Sequence, residues 1–326
     1  MKHTTVILSI LILITSCSTE KNESPREPLK IWYDQPALAT AKDDPNGWKD
    51  DAEWLKALPL GNGSFGAMVF GDVNLERIQL NEESMWSGSP DDNDNPEAFA
   101  AQAKIRELLF NGNYKEATEL TNSTQICKGE GSGHGNGAEV PFGCFQTLGD
   151  LWIDNGQKGP YENYHRELDL DEAIVRISYT QNGVNYEREI FTSYPDQVMI
   201  VRFTADKPSK ISFSATMDRP ENFRTYTEDK QLIMSGALPN GKGQDGLHYM
   251  TRLKGVNKNG VLEYKGDKLV VKNADEVTLY LSASTNYVLD PPNYKGRDYI
   301  NITEANISKA LAKSFDQLLL DHTQEY

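Results

Sequence analysis

The sequence predicts an all-β protein in which two large antiparallel sheets pack face to face. Three observations carry this expectation. Between residues 164 and 283, short runs of alternating or β-branched residues recur with no helical pattern between them, which points to a sandwich or barrel rather than a parallel α/β sheet. Asn182-Gly183, Asn240-Gly241, Asn259-Gly260 and Gly266-Asp267 separate those runs as tight turns. A dozen or more strands in roughly 250 residues need two sheets rather than one.

Composition narrows the function classes. The chain has 326 residues, 38% hydrophobic and 25% charged, which suits a folded body. A formal net charge of −15 argues against nucleic acid and against an anionic membrane surface as main partners. It leaves a neutral partner such as a sugar open. The 15 tyrosines fit ring stacking and ordinary strands equally. His3, His134, His165, His248 and His322 are scattered without ligand spacing, so no metal and no cofactor are expected.

In chain order, residues 1–17 read as an export signal. Lys2 and His3 form its basic end, and the apolar run at 6–14 is too short to span a bilayer. Ile14-Thr15-Ser16-Cys17 resembles a lipobox, making Cys17 the expected lipidation site and the lipid anchor the only expected contact with a membrane. The expected location is the bacterial envelope, with Ser18 after the cysteine fitting outer-membrane sorting. Residues 18–28 form a polar tether, 29–285 the sandwich, and 286–326 a linker with the start of a helical region.

Residues 59–90 supply the unit on which a site is built. Pro59-Leu60-Gly61-Asn62-Gly63 is turn chemistry, 65–70 reads as a buried strand, and 75–80 as the next. In that second strand Leu75, Ile78 and Leu80 are set against Glu76, Arg77 and Gln79. Asn81 to Gly88 is then left as a polar loop at a strand end. Pro96 starts a short helical insertion, with Ala98, Ala101, Ile105, Leu108 and Leu109 at helical spacing until Asn111-Gly112. Residues 114–120 read as a second short helix. The Gly-rich loop at 128–140 lacks the context of a phosphate-binding loop. Cys127 and Cys144 flank it, and either a disulfide or two free buried thiols fit the sequence. Residues 142–151 return to strand character. After a linker at 285–298, Thr303 is the expected N-cap of a helix whose apolar face holds Ile307, Leu311, Phe315, Leu318, Leu319 and His322. That face either folds back onto the sandwich or, as the preferred reading, opens a further helical domain, which would leave residues 303–326 weakly protected.

Residues 57–90, ALPLGNGSFGAMVFGDVNLERIQLNEESMWSGSP, closely resemble the N-terminal region of glycoside hydrolase family 95, the α-L-fucosidase 2-like enzymes. Residues 142–153 resemble a second block of that region, and 314–326 the start of the family's linker helices. The resemblance runs from about Leu29 to the last residue. It implies a β-supersandwich ahead of an (α/α)6 barrel, hydrolysis of terminal α-L-fucosides with inversion, and catalytic groups on the barrel. This sequence contains no such barrel, so the resemblance makes a missing C-terminal helical barrel and a fucosylated glycan the expected partners. It carries no catalytic residue onto this chain, and the chain by itself is expected to be inactive.

The residues agree with a supporting role. Inverting hydrolysis needs two carboxyl functions roughly 6.5–9.5 Å apart. Glu82 and Glu83 are adjacent and would face opposite sides of a strand. Glu76 and Asp91 are conceivable second groups, but spacing selects neither. Asn81, Glu82, Trp86 and Gly88 are therefore read as support for a sugar pocket or a domain interface, or else as plain packing of the sandwich. Gln146 is a further candidate with the same choice, and Asp150 another. Trp32, Trp48, Trp54 and Trp152 are read as core or interface. Two other functions fit parts of the sequence: a surface lipoprotein that binds glycans without hydrolysing them, and a disaccharide phosphorylase-like enzyme, against which the export signal counts.

Overall fold

The computed structural model describes residues 28–38, 53–129, 139–156 and 159–326. The export signal with Cys17, most of the tether, Trp48 and His134 lie outside the described residues. The strands are β1 (Lys30–Tyr33), β2 (Leu58–Gly61), β3 (Phe65–Val69), β4 (Leu75–Glu82), β5 (Gly149–Asp154), β6 (Glu162–Asp169), β7 (Ile174–Gln181) and β8 (Val184–Ser193). They continue as β9 (Val198–Ala205), β10 (Ile211–Asp218), β11 (Phe223–Glu228), β12 (Gln231–Pro239), β13 (Asp245–Lys258), β14 (Val261–Lys265), β15 (Lys268–Ala274) and β16 (Glu276–Thr285). One sheet has nine strands in the order β1-β6-β7-β8-β9-β16-β13-β12-β11, and the other seven in the order β14-β15-β10-β5-β4-β3-β2. Every pairing is antiparallel, as the turn spacing predicts.

Hairpin geometry follows the sequence where glycine marks it. Asn182 and Gly183 both adopt positive φ (52° and 68°), the requirement of a tight type I′ turn between β7 and β8. The β11–β12 turn uses the same region at Asp229 and Lys230 without a glycine, so β11 carries no turn signal and escapes sequence reading. Residues 142–151 form a strand only from Gly149 onward, and β2 already pairs with β3 from Leu58, where turn chemistry alone is expected.

The core lies between the sheets, with Ile78, Leu80, Leu151 and Met217 facing Ile177, Ile190, Val201 and Leu279. Here the phase of β4 differs from the sequence reading. Its inward face holds Glu76, Ile78, Leu80 and Glu82, while Leu75 is only half-buried on the other side. Period-two alternation forces this, because the two aliphatic residues that reach the core are Ile78 and Leu80. Glu76 is therefore carried inside, fully buried, and is not a second catalytic carboxyl. Its carboxylate pairs with the buried Arg188 guanidinium at 2.7 Å and accepts the Gly71 N–H at 2.7 Å. Arg188 also donates to the Asp72 and Val73 carbonyls. Burial pushes the Glu76 carboxyl up to about 7, although Arg188 pulls the other way.

Two helix pairs accompany the sheets. α1 (Pro96–Phe110) and α2 (Tyr114–Thr124) form the insertion, with Asn95 capping the first. α3 (Tyr299–Leu311) and α4 (Phe315–Glu325) replace the single helix expected near the end. Their N-caps are Asp298 and Ser314, not Thr303. Thr303 lies buried inside α3, where its hydroxyl accepts the Arg252 Nε–H at 3.0 Å. Ile307, Ala310 and Leu318 pack on Ile174, Phe191, Val198, Ile200 and Tyr280 of the nine-stranded sheet. The apolar face folds back onto the sandwich, which corrects the reading of it as unpaired. The stretch at 285–298 is likewise no extended linker. It turns back on itself through Val288 N–H to Tyr294 O (3.2 Å) and Gly296 N–H to Asn286 O (2.9 Å).

Candidate functional site

Beyond β4 the chain is tied down residue by residue. Glu82 points inward and is buried, and its carboxylate accepts the Ser84 N–H at 2.7 Å and the Ser84 hydroxyl at 2.7 and 3.0 Å. Ser84 Oγ shares a further hydrogen bond with Thr285 Oγ1 at the end of β16. Burial raises the Glu82 carboxyl above its usual range, opposed by the two Ser84 hydrogen bonds. Met85 is fully buried. Trp86 turns out and is 48% exposed, with its ring 6.0 Å from that of Phe145.

The next residues cross the segment at 139–146. Ser87 N–H donates to Cys144 O, and Cys144 N–H donates to Ser87 Oγ, both at 2.9 Å. Gly88 (φ 94°) and Gly143 (φ 69°) meet backbone to backbone. A Cβ on Gly88 would lie 2.4 Å from Pro141 O, and one on Gly143 would lie 1.9 Å from Ser87 O. Only glycine fits either position. Gly88 N–H then donates to Pro239 O, anchoring the loop to β12.

These segments enclose an open cleft of about 970 Å³. Glu83, Trp86, Gly88 and Phe142 line it together with Tyr287, Tyr294 and Lys295, and Asn240 lies beside Gly88, its carbonyl accepting the Ser89 hydroxyl at 2.9 Å. Lys295 Nζ donates to Gly246 O at 2.7 Å, which holds its stem along the wall. Four aromatic rings, amides and hydroxyls suit the apolar faces and hydroxyls of a sugar. Among the described lining residues Glu83 is the one carboxylate, so the cleft walls offer binding groups rather than an acid–base pair.

The sequence-predicted residues separate. Trp86 and Gly88 line the cleft, and Glu82 braces it from beneath. Asn81 alternates to the opposite side of the seven-stranded sheet and does not reach the cleft. Gln146 also stays outside, its Oε1 accepting from the Arg219 guanidinium at 2.9 Å, while its N–H donates to Met85 O. Asp150 is held in a two-point pair with Arg77, and Asp91 in a pair with Lys242. Cys127 and Cys144 are free thiols, so the permitted disulfide is not made. Cys127 is exposed, and Cys144 is half-buried beside Ser87. Tyr287, Tyr294 and Lys295 escape sequence reading because they sit in the stretch where Pro291-Pro292 suggests a linker. The repeated Asn-Tyr at 286–287 and 293–294 was the available signal.

With this geometry in place, known proteins supply the kinship. The family described as "Glycosyl hydrolase family 65, N-terminal domain" matches residues 31–290. Alpha-L-fucosidase 2 of Arabidopsis thaliana is 31% identical over 315 residues, covering 87% of this chain and 35% of that protein. A probable alpha-fucosidase A of Aspergillus niger is 28% identical over 294 residues, covering 83% of this chain and 34% of that protein. A solved structure, a putative kojibiose phosphorylase from human microbiome, aligns with a TM-score of 0.44 at 10% identity, over 82% of this chain and 34% of that one. The chain thus spans about a third of the length of the curated relatives it matches. It belongs to the glycosyl hydrolase family 65 N-terminal domain family, and its kin there are the α-L-fucosidase 2-like glycosidases, as the motif at 57–90 implies.

Proposed function

We propose that this domain is the N-terminal sandwich of an exported enzyme that hydrolyses terminal α-L-fucosides with inversion, and that its own part is to wall the sugar pocket. The observation that carries the reading is the cleft itself. The motif shared with α-L-fucosidase 2-like proteins builds part of its lining, with Trp86 half-exposed on it. In this reading the general acid and the water-activating groups come from a helical barrel, and Glu82 acts only as a brace for the loop. Cys17 carries the lipid that holds the protein in the bacterial envelope.

The test is release of fucose from a nitrophenyl α-L-fucoside by this chain alone and by the same chain joined to a helical barrel domain. Turnover is expected only from the joined protein, with the β-anomer of fucose formed first. Turnover by the chain alone would overturn the placement of the reacting groups on the barrel. No turnover by the joined protein would overturn the fucosidase reading. Glycan binding without turnover would then favour the second reading, a glycan-binding surface lipoprotein, for which the exposed Trp86 and Phe142 rings speak. Radiolabelled palmitate should enter the expressed protein and be lost in Cys17→Ala.

A further inference from the structure

The turn of Asn81 away from the cleft leads to a second feature. The outer face of the seven-stranded sheet carries a groove of about 400 Å³ over β2, β3 and β4, within the size range of ligand sites. Its floor is Gly66 and Met68. Two rings flank it, Trp54 at 37% exposure and Phe145 at 44%. The Trp54 indole N–H donates to Gln79 Oε1 at 2.6 Å, which fixes the ring and leaves the Gln79 amide N–H groups as donors. The Asn81 carboxamide makes no hydrogen bond among the described residues. Thr147 closes one end, its hydroxyl donating to Leu80 O.

No residue lining this groove is charged, in a chain where one residue in four is charged. A phosphate or an acidic sugar would find no cation there, and a basic ligand no carboxylate. An acyl chain would leave Gln79, Asn81 and Thr147 facing hydrocarbon, a costly loss of their hydration. Flat rings, the Asn81 carboxamide, the Gln79 amide N–H groups and a floor of Gly66 and Met68 match the C–H faces and hydroxyls of a neutral sugar. We propose that this groove is a second binding site, taking one or two units of a neutral saccharide through Trp54, Gln79, Asn81 and Phe145. Trp86 and Phe145 pair across an isolated β-bridge, the first lining the cleft and the second the groove. Cleft and groove are two flanks of one aromatic ridge, so a branched or extended glycan held in the cleft has a continuation to lie on. The proposal rests on the reading of this domain as facing a glycan, but it requires no turnover.

The test is titration of the full chain with 2′-fucosyllactose, a neutral xyloglucan oligosaccharide and, as charged control, sialyllactose, followed by NMR of the tryptophan indole N–H signals. The Trp54 indole reports the groove and the Trp86 indole the cleft. Saturable movement of the Trp54 signal with a neutral saccharide is expected. Asn81→Ala is expected to weaken that binding about tenfold, the loss of one or two hydrogen bonds. Gln79→Glu provides a second variant that adds a charge, and the melting temperature of each variant reports folding. Movement confined to Trp86 overturns the groove and leaves the proposed function standing. Preference for sialyllactose, or no movement of Trp54 with any neutral saccharide, also overturns it. Failure of the fucoside assay alone leaves the groove untouched.

Discussion

The two helix pairs are of similar length and are packed in opposite ways. In α3 and α4, Ile307, Ala310, Leu318 and His322 are buried on the nine-stranded sheet, and Lys313 ties the seam to the buried Asp196 at 2.6 Å. In α1 and α2, Leu108, Ala117 and Thr124 are buried, and among the described elements the two helices pack chiefly on each other. Phe99 and Phe110 stand 84% and 89% exposed. A helix of this length gains most of its stability from tertiary packing. The first pair should therefore unfold with the sandwich, and the second should open locally.

The largest effect expected from that contrast is a charge placed on each pair. Leu318→Asp should destabilise the protein by about 4 kcal/mol, since it buries a carboxylate in an apolar seam. Phe110→Asp should stay within about 0.5 kcal/mol. Urea denaturation read by tryptophan fluorescence measures both, and equal losses would mean that the Phe110 face is covered in solution.

The core ion pair gives the next largest effect. The folded-state pKa of Glu76 is raised to about 7, so its protonated form is favoured in the fold. Stability from this group is full below the unfolded value of 4.5 and is lost as pH rises through 7. The loss is about 3 kcal/mol over that window. Glu76→Gln should flatten the profile. Amides of α3 should follow the same trend because it opens with the sandwich, while those of α1 and α2 should not.

Lys313→Met should cost about 2 kcal/mol, less than fully stranding a buried carboxylate, because Ser193 and the more distant Lys309 still serve Asp196. The smallest effect is local. His322 is buried with its ring nitrogen on the Glu172 and Ala173 carbonyls, and burial lowers its pKa below 6.5. Its contribution is present above 6.5 and lost as pH falls through the lowered folded value. Hydrogen exchange should show α4 losing protection in acid while α3 keeps it. Weak protection of α3 and α4 at neutral pH would overturn the packing contrast itself.

The same contrast shows what the sequence makes legible. Most of the strands, their antiparallel pairing and the starts of α1 and α2 follow from short-range signals: alternation, Asn-Gly turns, Pro96. The phase of β4 did not follow, because Leu75 and Glu76 exchange their usual sides for the sake of Ile78 and Leu80. The break at Ser314 did not follow either, since one apolar stripe continues in register across two helices. For the site, Trp86 and Gly88 were legible from the motif. Asn81 was misplaced because a single residue step flips a side chain to the other face of a sheet. The cleft lining at Tyr287, Tyr294 and Lys295 was hidden because it meets the motif only in three dimensions, about 200 residues later in the chain.

The crossing of Gly88 and Gly143 has a consequence for anyone varying this surface. A library randomised along both segments would tolerate many choices at Trp86 and Phe142, whose side chains face open space. At the two crossing positions it would return glycine alone. The segments are thus free to change their chemistry but not their spacing, so new ligand preferences can be selected on this ridge without re-engineering the scaffold beneath it.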